Sequence, residues 1–268
     1  MSSLVLNIAA LVALLPAALV ALRAGEGRSA RFRLCLALAV AGPALAAVSL
    51  LGGHWQTSLS AALWVSIAAT ATLFALVAHA SAQGWRLAPL LMPFLAALGL
   101  LASLVQWVEA PLPLGGGAVP AAWLDLHIIV SVLTYALLTL AAVASLATFL
   151  QERALKRKAP TTLTRMLPSV ADGETLAGRL LLASEAVLGL GLATGMATQY
   201  FETGTVLTFS HKALLSLLAF ALIGLLLVGH RVCGVRGRVA ARVVLLAYLL
   251  LTLAYPGVKF VTQVLVSH

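Results

Sequence analysis

The chain has 268 residues, 62% of them hydrophobic and only 9% charged, with a mean hydropathy of +1.07. This excludes a water-soluble globular domain, since no core of that size hides so much apolar surface, and makes lipid the solvent. The net charge of +9 is not the footprint of a nucleic-acid partner, because the basic residues gather in short segments between apolar runs, as a topology signal does.

Runs of about 20 apolar residues, each enough for roughly 30 Å of helix, occur at 4–22, 34–52, 59–79, 87–107, 126–150, 177–199, 206–229 and 240–266. They predict an all-α, polytopic membrane bundle of about eight transmembrane helices. Positive charges follow the first run instead of preceding it, so it reads as a retained helix and not a cleavable signal peptide. With the N-terminus outside, every Lys and Arg except Lys212 and Lys259 falls on the inner side. The positive-inside rule then puts both termini outside.

After the fourth run, 109–125 is rich in turn formers, with Pro111, Pro113, Gly115, Gly116, Gly117 and Pro120. It divides a region of four helices, 1–110, from a second of four, 121–268, the two forming one integral unit. The inner stretch 151–178 reads as a long loop: a basic run (ERALKRK), an amphipathic piece (TTLTRML) and a break at Pro168, suited to anionic lipid. In the sixth run Gly191 and Gly195 make a small-x-x-x-small face for close helix approach. Glu185 is the one acid well inside a span, a functional candidate by default or else a protonated carboxyl bonded to a neighbouring Ser or Thr. Cys35 and Cys233 both fall on the inner, reducing side, so no disulfide is expected. There is no C-x-x-C-H for covalent haem attachment, and the H-x-x-C of His230 and Cys233 lacks further ligands for zinc.

All six histidines sit at span ends: His54, His127, His211 and His268 outside, His79 and His230 inside. A histidine at that depth suits an amphipathic planar ligand that carries a metal, of which haem is the obvious case, and six-coordinate haem iron accepts two imidazoles. The competing reading is an interfacial side chain with no ligand, and for His54 and His79 nothing sharpens the choice. His127 and His211 each open a long span, and Lys212 follows at once. Lys212 and Lys259 are the only outer cations to meet haem propionates, although Lys259 can equally snorkel from the last helix.

From His127 onward the sequence WLDLHIIVSVLTYALLTLAAVASL resembles the helix that opens the core of the CcsA/ResC-type cytochrome c assembly family. The resemblance continues through LPSVADGETLAGRLLLASEAVLGLGLATG, HKALLSLLAFALIGLLLVGHR and GRVAARVVLLAYLLLTLAYPGVKFV, covering residues 121–268, while 1–110 match only as four hydrophobic helices. The combination of His127 with Tyr135, His211 with Lys212, G-H-R at 229–231 and Y-P-G-V-K at 255–259 brings it nearest to the short YpjD-like and HemX-like inner-membrane proteins. The resemblance implies a bacterial inner-membrane location, His127 and His268 as axial ligands of an outer haem iron, and His230 serving an inner haem. One feature departs from the family: the tryptophan-rich outer loop, W-x-x-W-x-W-D, is replaced here by QYFETGTVLTFSHK.

Three functions follow as expectations. The first is a haem-handling protein that binds or passes haem b non-covalently, through His127, His211, His230 and His268 with Lys212 and Lys259. The second is a membrane regulator or scaffold that has lost haem binding and works through other cytochrome c assembly or haem-synthesis proteins, which the missing tryptophans favour. The third is a small-solute transporter, against which stands the isolation of Glu185. Enzymatic catalysis is not expected, because no paired carboxylates or Ser/His/Asp set is legible.

Overall fold

A computed structural model describes residues 3–23, 29–51, 58–107, 119–205, 210–257 and 260. Among them every regular element is helical, as a backbone in hydrocarbon requires, because each N–H and C=O must be satisfied internally. The helices are α1 (Ser3–Ala21), α2 (Ala30–Leu51), α3 (Leu59–Ala80), α4 (Ala88–Val105, entered by a 3-10 turn at Gly84–Leu87), α5 (Ala121–Arg157), α6 (Thr162–Met166), α7 (Val170–Thr203), α8 (His211–Val232) and α9 (Gly237–Thr252). Seven segments, α2 to α5 and α7 to α9, are long and apolar enough to cross a bilayer, and α1 is a shorter apolar helix. The architecture is a polytopic membrane bundle.

Successive helices α1 to α4 pack on one another, and α4 returns against α1. Gly42 makes the α1–α2 approach possible: a Cβ there would lie 2.6 Å from the Ala13 Cβ. Asn7 of α1 donates to the Gln106 side chain at the end of α4. Helix α5 is the axis of the molecule, packing against α3, α7 and α9, while α8 packs on α7 and α9. The most apolar stretch of α5 is 67% buried and that of α8 only 17%, so α5 is covered by protein and α8 chiefly by lipid.

Ser58, Ser169 and Ser210 cap α3, α7 and α8, each accepting the N–H three residues on, a device worth about 1 kcal/mol per helix. Lys158 and Gly204 end α5 and α7 in the left-handed conformation.

The stretch 151–178 corrects the sequence reading. It is not a long loop: α5 continues to Arg157, α7 begins at Val170, and the amphipathic piece is α6, closed by a Thr161–Thr164 capping box. A hydropathy reading stops where apolarity stops, whereas a helix stops where its backbone is capped, and the Arg, Lys, Glu and Ala of 152–158 are good helix formers. At 37 residues α5 is about 55 Å long, well beyond the ~30 Å hydrocarbon layer, so its basic end stands clear of the apolar zone. The two long helices close on each other at Gly173, where a Cβ would lie 2.4 Å from Thr148 Oγ1. Arg86 donates to the Leu167 carbonyl (3.2 Å) and Gln151 to the carbonyls of Leu167 (3.4 Å) and Pro168 (3.2 Å), pinning the α6–α7 link.

Helix α5 also begins earlier than the apolar pattern indicated, so Trp123 and Asp125 are helical. Helix α9 stops at Thr252 and passes into a π turn, Leu253–Gly257, that contains Pro256. The rest of the predicted final span, apart from Phe260, lies outside the described residues.

Candidate functional site

The end of the bundle away from the arginines is organised around His127. It lies six residues inside α5, about 9 Å along the axis, and is half-buried. Its Nδ1 is 3.0 Å from Thr194 Oγ1 on α7, and the Thr194 hydroxyl itself donates to the Gly191 carbonyl at 3.1 Å. With the hydroxyl hydrogen so committed, the imidazole Nδ1–H is the donor, and Nε2 keeps a lone pair that meets no hydrogen-bond partner among the described residues. Gly195 lets the ring lie against α7, since a Cβ there would come within 3.1 Å of His127 Cε1. One turn up α5, Trp123 Nε1 donates to the Thr194 carbonyl (3.3 Å), and its ring meets Phe201 edge-on at 6.5 Å. The small-residue face of Gly191 and Gly195 therefore does pack closely, and what it admits is the imidazole.

The other sites expected at this end are placed less closely. His211 and Lys212 are exposed on the first turn of α8. His268, Lys259 and His54 lie outside the described residues, so the pairing of His127 with His268 is not visible. Among the described residues no three His, Cys, Asp or Glu side chains converge as a metal cluster.

At the basic end a cavity of about 510 Å³ opens between α5, α7, α8 and α9. Its walls include Leu181, Leu226, Leu227 and Val244, and His230, Arg179, Arg231 and Arg236 line its rim. His230 Nδ1 donates to the Val235 carbonyl at 2.9 Å, which leaves Nε2 as the free lone pair, the same tautomer as at His127. The α8–α9 turn that supplies this carbonyl needs left-handed backbone at Gly234 (φ 65°) and Gly237 (φ 63°). The Gly237 N–H donates to Glu174 Oε1 at 3.2 Å, tying the turn to α7. His79, expected on the same side as His230, is exposed at the end of α3 and is not among the residues lining the cavity.

Glu185 faces α8 where Gly224 leaves room, its Oε1 being 3.1 Å from where a Cβ would stand. Its Oε2 is buried without a hydrogen-bond partner among the described residues, and the adjacent Ser184 hydroxyl donates instead to the Leu181 carbonyl. Between the two ends, Tyr135 of α5 shares a hydrogen bond with Tyr248 of α9 (hydroxyls 3.0 Å apart) and approaches Thr252 at 3.4 Å.

The sequence reading missed Trp123, Thr194, Tyr248 and the convergence of Arg179, Arg231 and Arg236 on one cavity. Thr194 had a signal in the run G-L-A-T-G, a polar group inside a small-residue face. The arginines had none, because they were counted as topology and come from two segments far apart in the chain, α7 for Arg179 and the end of α8 with the α8–α9 connection for Arg231 and Arg236.

A family model described as "Cytochrome C assembly protein" matches residues 34–266 of the chain. Among curated proteins, the "uncharacterized 28.8 kDa protein in nifR3-like 5′ region" of Azospirillum brasilense is 56% identical over 270 residues, covering 99% of each chain. No solved structure matches.

Proposed function

The chain belongs to the cytochrome c assembly protein family, and on that premise we propose that it handles haem b non-covalently, as cargo, with a histidine serving each face of the membrane. The observation that carries this reading is the matched state of His127 and His230. Each donates Nδ1–H to a fixed oxygen and keeps Nε2 free, the support that orients imidazoles toward a metal. His127 is the outer ligand, His268, at the end of the chain, its expected partner, and His211, Lys212 and Lys259 the outer groups available to a second ligand position or to propionates. His230 serves the inner face. The charge asymmetry of the loops supports placing both termini outside a bacterial inner membrane. Haem supplies the iron chemistry when bound; the protein's own residues hold, orient and release it, without a catalytic step.

The test is the reduced-minus-oxidised spectrum of the detergent-purified chain from haem-replete cells, with pyridine extraction to type the haem. A b-type spectrum that His127→Ala abolishes is the expected result. A well-folded, colourless protein would instead favour a second reading, a regulator or scaffold working through haem-synthesis or cytochrome c assembly proteins. The tryptophan-free outer segment QYFETGTVLTFSHK speaks for that reading, since it offers no aromatic platform of the family kind.

A further inference from the structure

We infer that Glu185 is a proton-binding site within the membrane, holding its proton in the seam between α7 and α8 and exchanging it with water at the basic end only. This goes beyond haem handling and depends on neither histidine.

Glu185 stands near the middle of α7, nine residues before Thr194, about 14 Å along the axis, and is half-buried. Its Oε1 lies against α8 where Gly224 leaves room, and its Oε2 is buried with no hydrogen-bond partner among the described residues. The Ser184 hydroxyl is committed to the Leu181 carbonyl at 2.9 Å.

The helices around it bring no counter-charge to this depth. On α5 only Tyr135 titrates between His127 and Glu152, and its hydroxyl is engaged with that of Tyr248. On α8 nothing ionisable occurs between Lys212 and His230, and on α9 only Tyr248 follows Arg242. On α7 itself nothing else titrates between Arg179 and Tyr200. Arg179 is six residues from Glu185 and His230 six from Gly224, each about 9 Å along its helix. An ionised carboxylate in hydrocarbon without a counter-charge is costly, so the resting group is the neutral acid. A metal cation needs several oxygen ligands and would find a single carboxyl here, so the ligand is a proton.

Access is one-sided. Toward the basic end, Leu181 and Leu182 line the cavity, as do Leu226 and Leu227 just past Gly224, and Arg179, Arg231 and Arg236 at the rim are exposed. One helical turn, about 5 Å, therefore separates the carboxyl from a space that opens to water. Toward the other end α7 runs AVLGLGLA, with no polar side chain before Thr194. Leu188 is buried there, and Gly189 is closed against Phe220, whose Cε2 lies 3.3 Å from where a Cβ would stand. In the exchange the carboxyl gives its proton to a water entering from the cavity, and the carboxylate later takes one back from hydronium on that same side.

The test uses the full chain in sealed membrane vesicles, oriented by whether trypsin added outside cuts the exposed basic segment 153–158. The probe is dicyclohexylcarbodiimide, which partitions into hydrocarbon. Leu182 and Leu225, flanking the seam, are 52% and 71% exposed, so it reaches Glu185 from lipid. A protonated carboxyl adds to it: the acid proton passes to a carbodiimide nitrogen, and an O-to-N acyl shift leaves a stable N-acylurea, located by peptide mass spectrometry.

Glu185 is expected to carry the label. Glu185→Gln, which copies the neutral acid, removes the label and leaves the midpoint of thermal unfolding unchanged. Alkaline buffer on the side of the basic segment lowers labelling about tenfold for each pH unit past the midpoint of the acid, and alkaline buffer on the other side does not. An unlabelled Glu185 in folded protein overturns the inference. A lowered unfolding midpoint in Glu185→Gln also overturns it, marking an ionised carboxylate with a partner, and labelling governed by pH at the other face overturns the one-sided access. Haem content enters none of these readings, so the proposed function stands or falls separately.

Discussion

Helices α1 to α4 bury Trp64, Phe74, Met92 and Leu95 almost completely, whereas α5 to α9 bury a hydroxyl cluster, hold an imidazole between helices and leave a cavity open. Both regions draw on the same Ala- and Leu-rich alphabet. The difference lies in where polar side chains find partners. In the first region Ser66, Thr70 and Ser103 turn back onto carbonyls of their own helices, and Asn7 bonds across to Gln106 where α4 ends. In the second, His127 bonds across to Thr194, Trp123 to the same residue's carbonyl, Tyr135 to Tyr248 and Gly237 to Glu174. A polar bond between helices fixes register in a medium where apolar contact alone is not discriminating. The first region is thus a packed wall, and the second is the place where a ligand can be held to a defined geometry.

Trp64→Ala should separate the two most sharply. Removing a fully buried indole costs about 3–5 kcal/mol, visible as a lower midpoint of thermal unfolding in detergent, yet the haem content of the protein that remains folded should not change. Loss of haem per folded molecule would mean that the wall shapes the site. Gly195→Leu acts in the other sense. A side chain where even a Cβ comes within 3.1 Å of His127 displaces the ring, so haem occupancy should fall as far as in His127→Ala.

Thr194→Val leaves the helix contact but removes the Nδ1 acceptor. Losing the partner that orients a metal-binding imidazole costs about 10–100-fold in metal affinity, and the small side chain places this change near tenfold, read by haem titration. An unchanged affinity would make Thr194 a packing residue only. Tyr248→Phe is expected to have the smallest effect, about 1 kcal/mol of stability from one lost hydrogen bond, with the haem spectrum unaltered. A shifted spectrum there would tie the hydroxyl cluster to the site above it.

The polytopic helical bundle and the order of its apolar segments were legible in the sequence, because hydrocarbon demands long apolar helices and tolerates little else. His127 and His230 were legible as candidates from their place at span ends. The length of α5 and α7 was not, because caps and charged helix formers, not apolarity, decide where those helices end. Thr194 and Gly195 showed only as a small-residue stripe, with nothing to say what it would receive.

By itself, then, the sequence determined an all-helical membrane bundle, its family, the alternation of its charged loops and the residue types able to meet a metal. Only the tertiary structure decided that Thr194 and the Val235 carbonyl hold two distant imidazoles in the same tautomer, and that Arg179, Arg231 and Arg236 share one cavity. The reason is physical. Crossing a bilayer is a property of each segment taken alone, read along about 20 residues, whereas a site is a property of helix rotation and approach, set by glycines and interhelical hydrogen bonds between residues far apart in the chain.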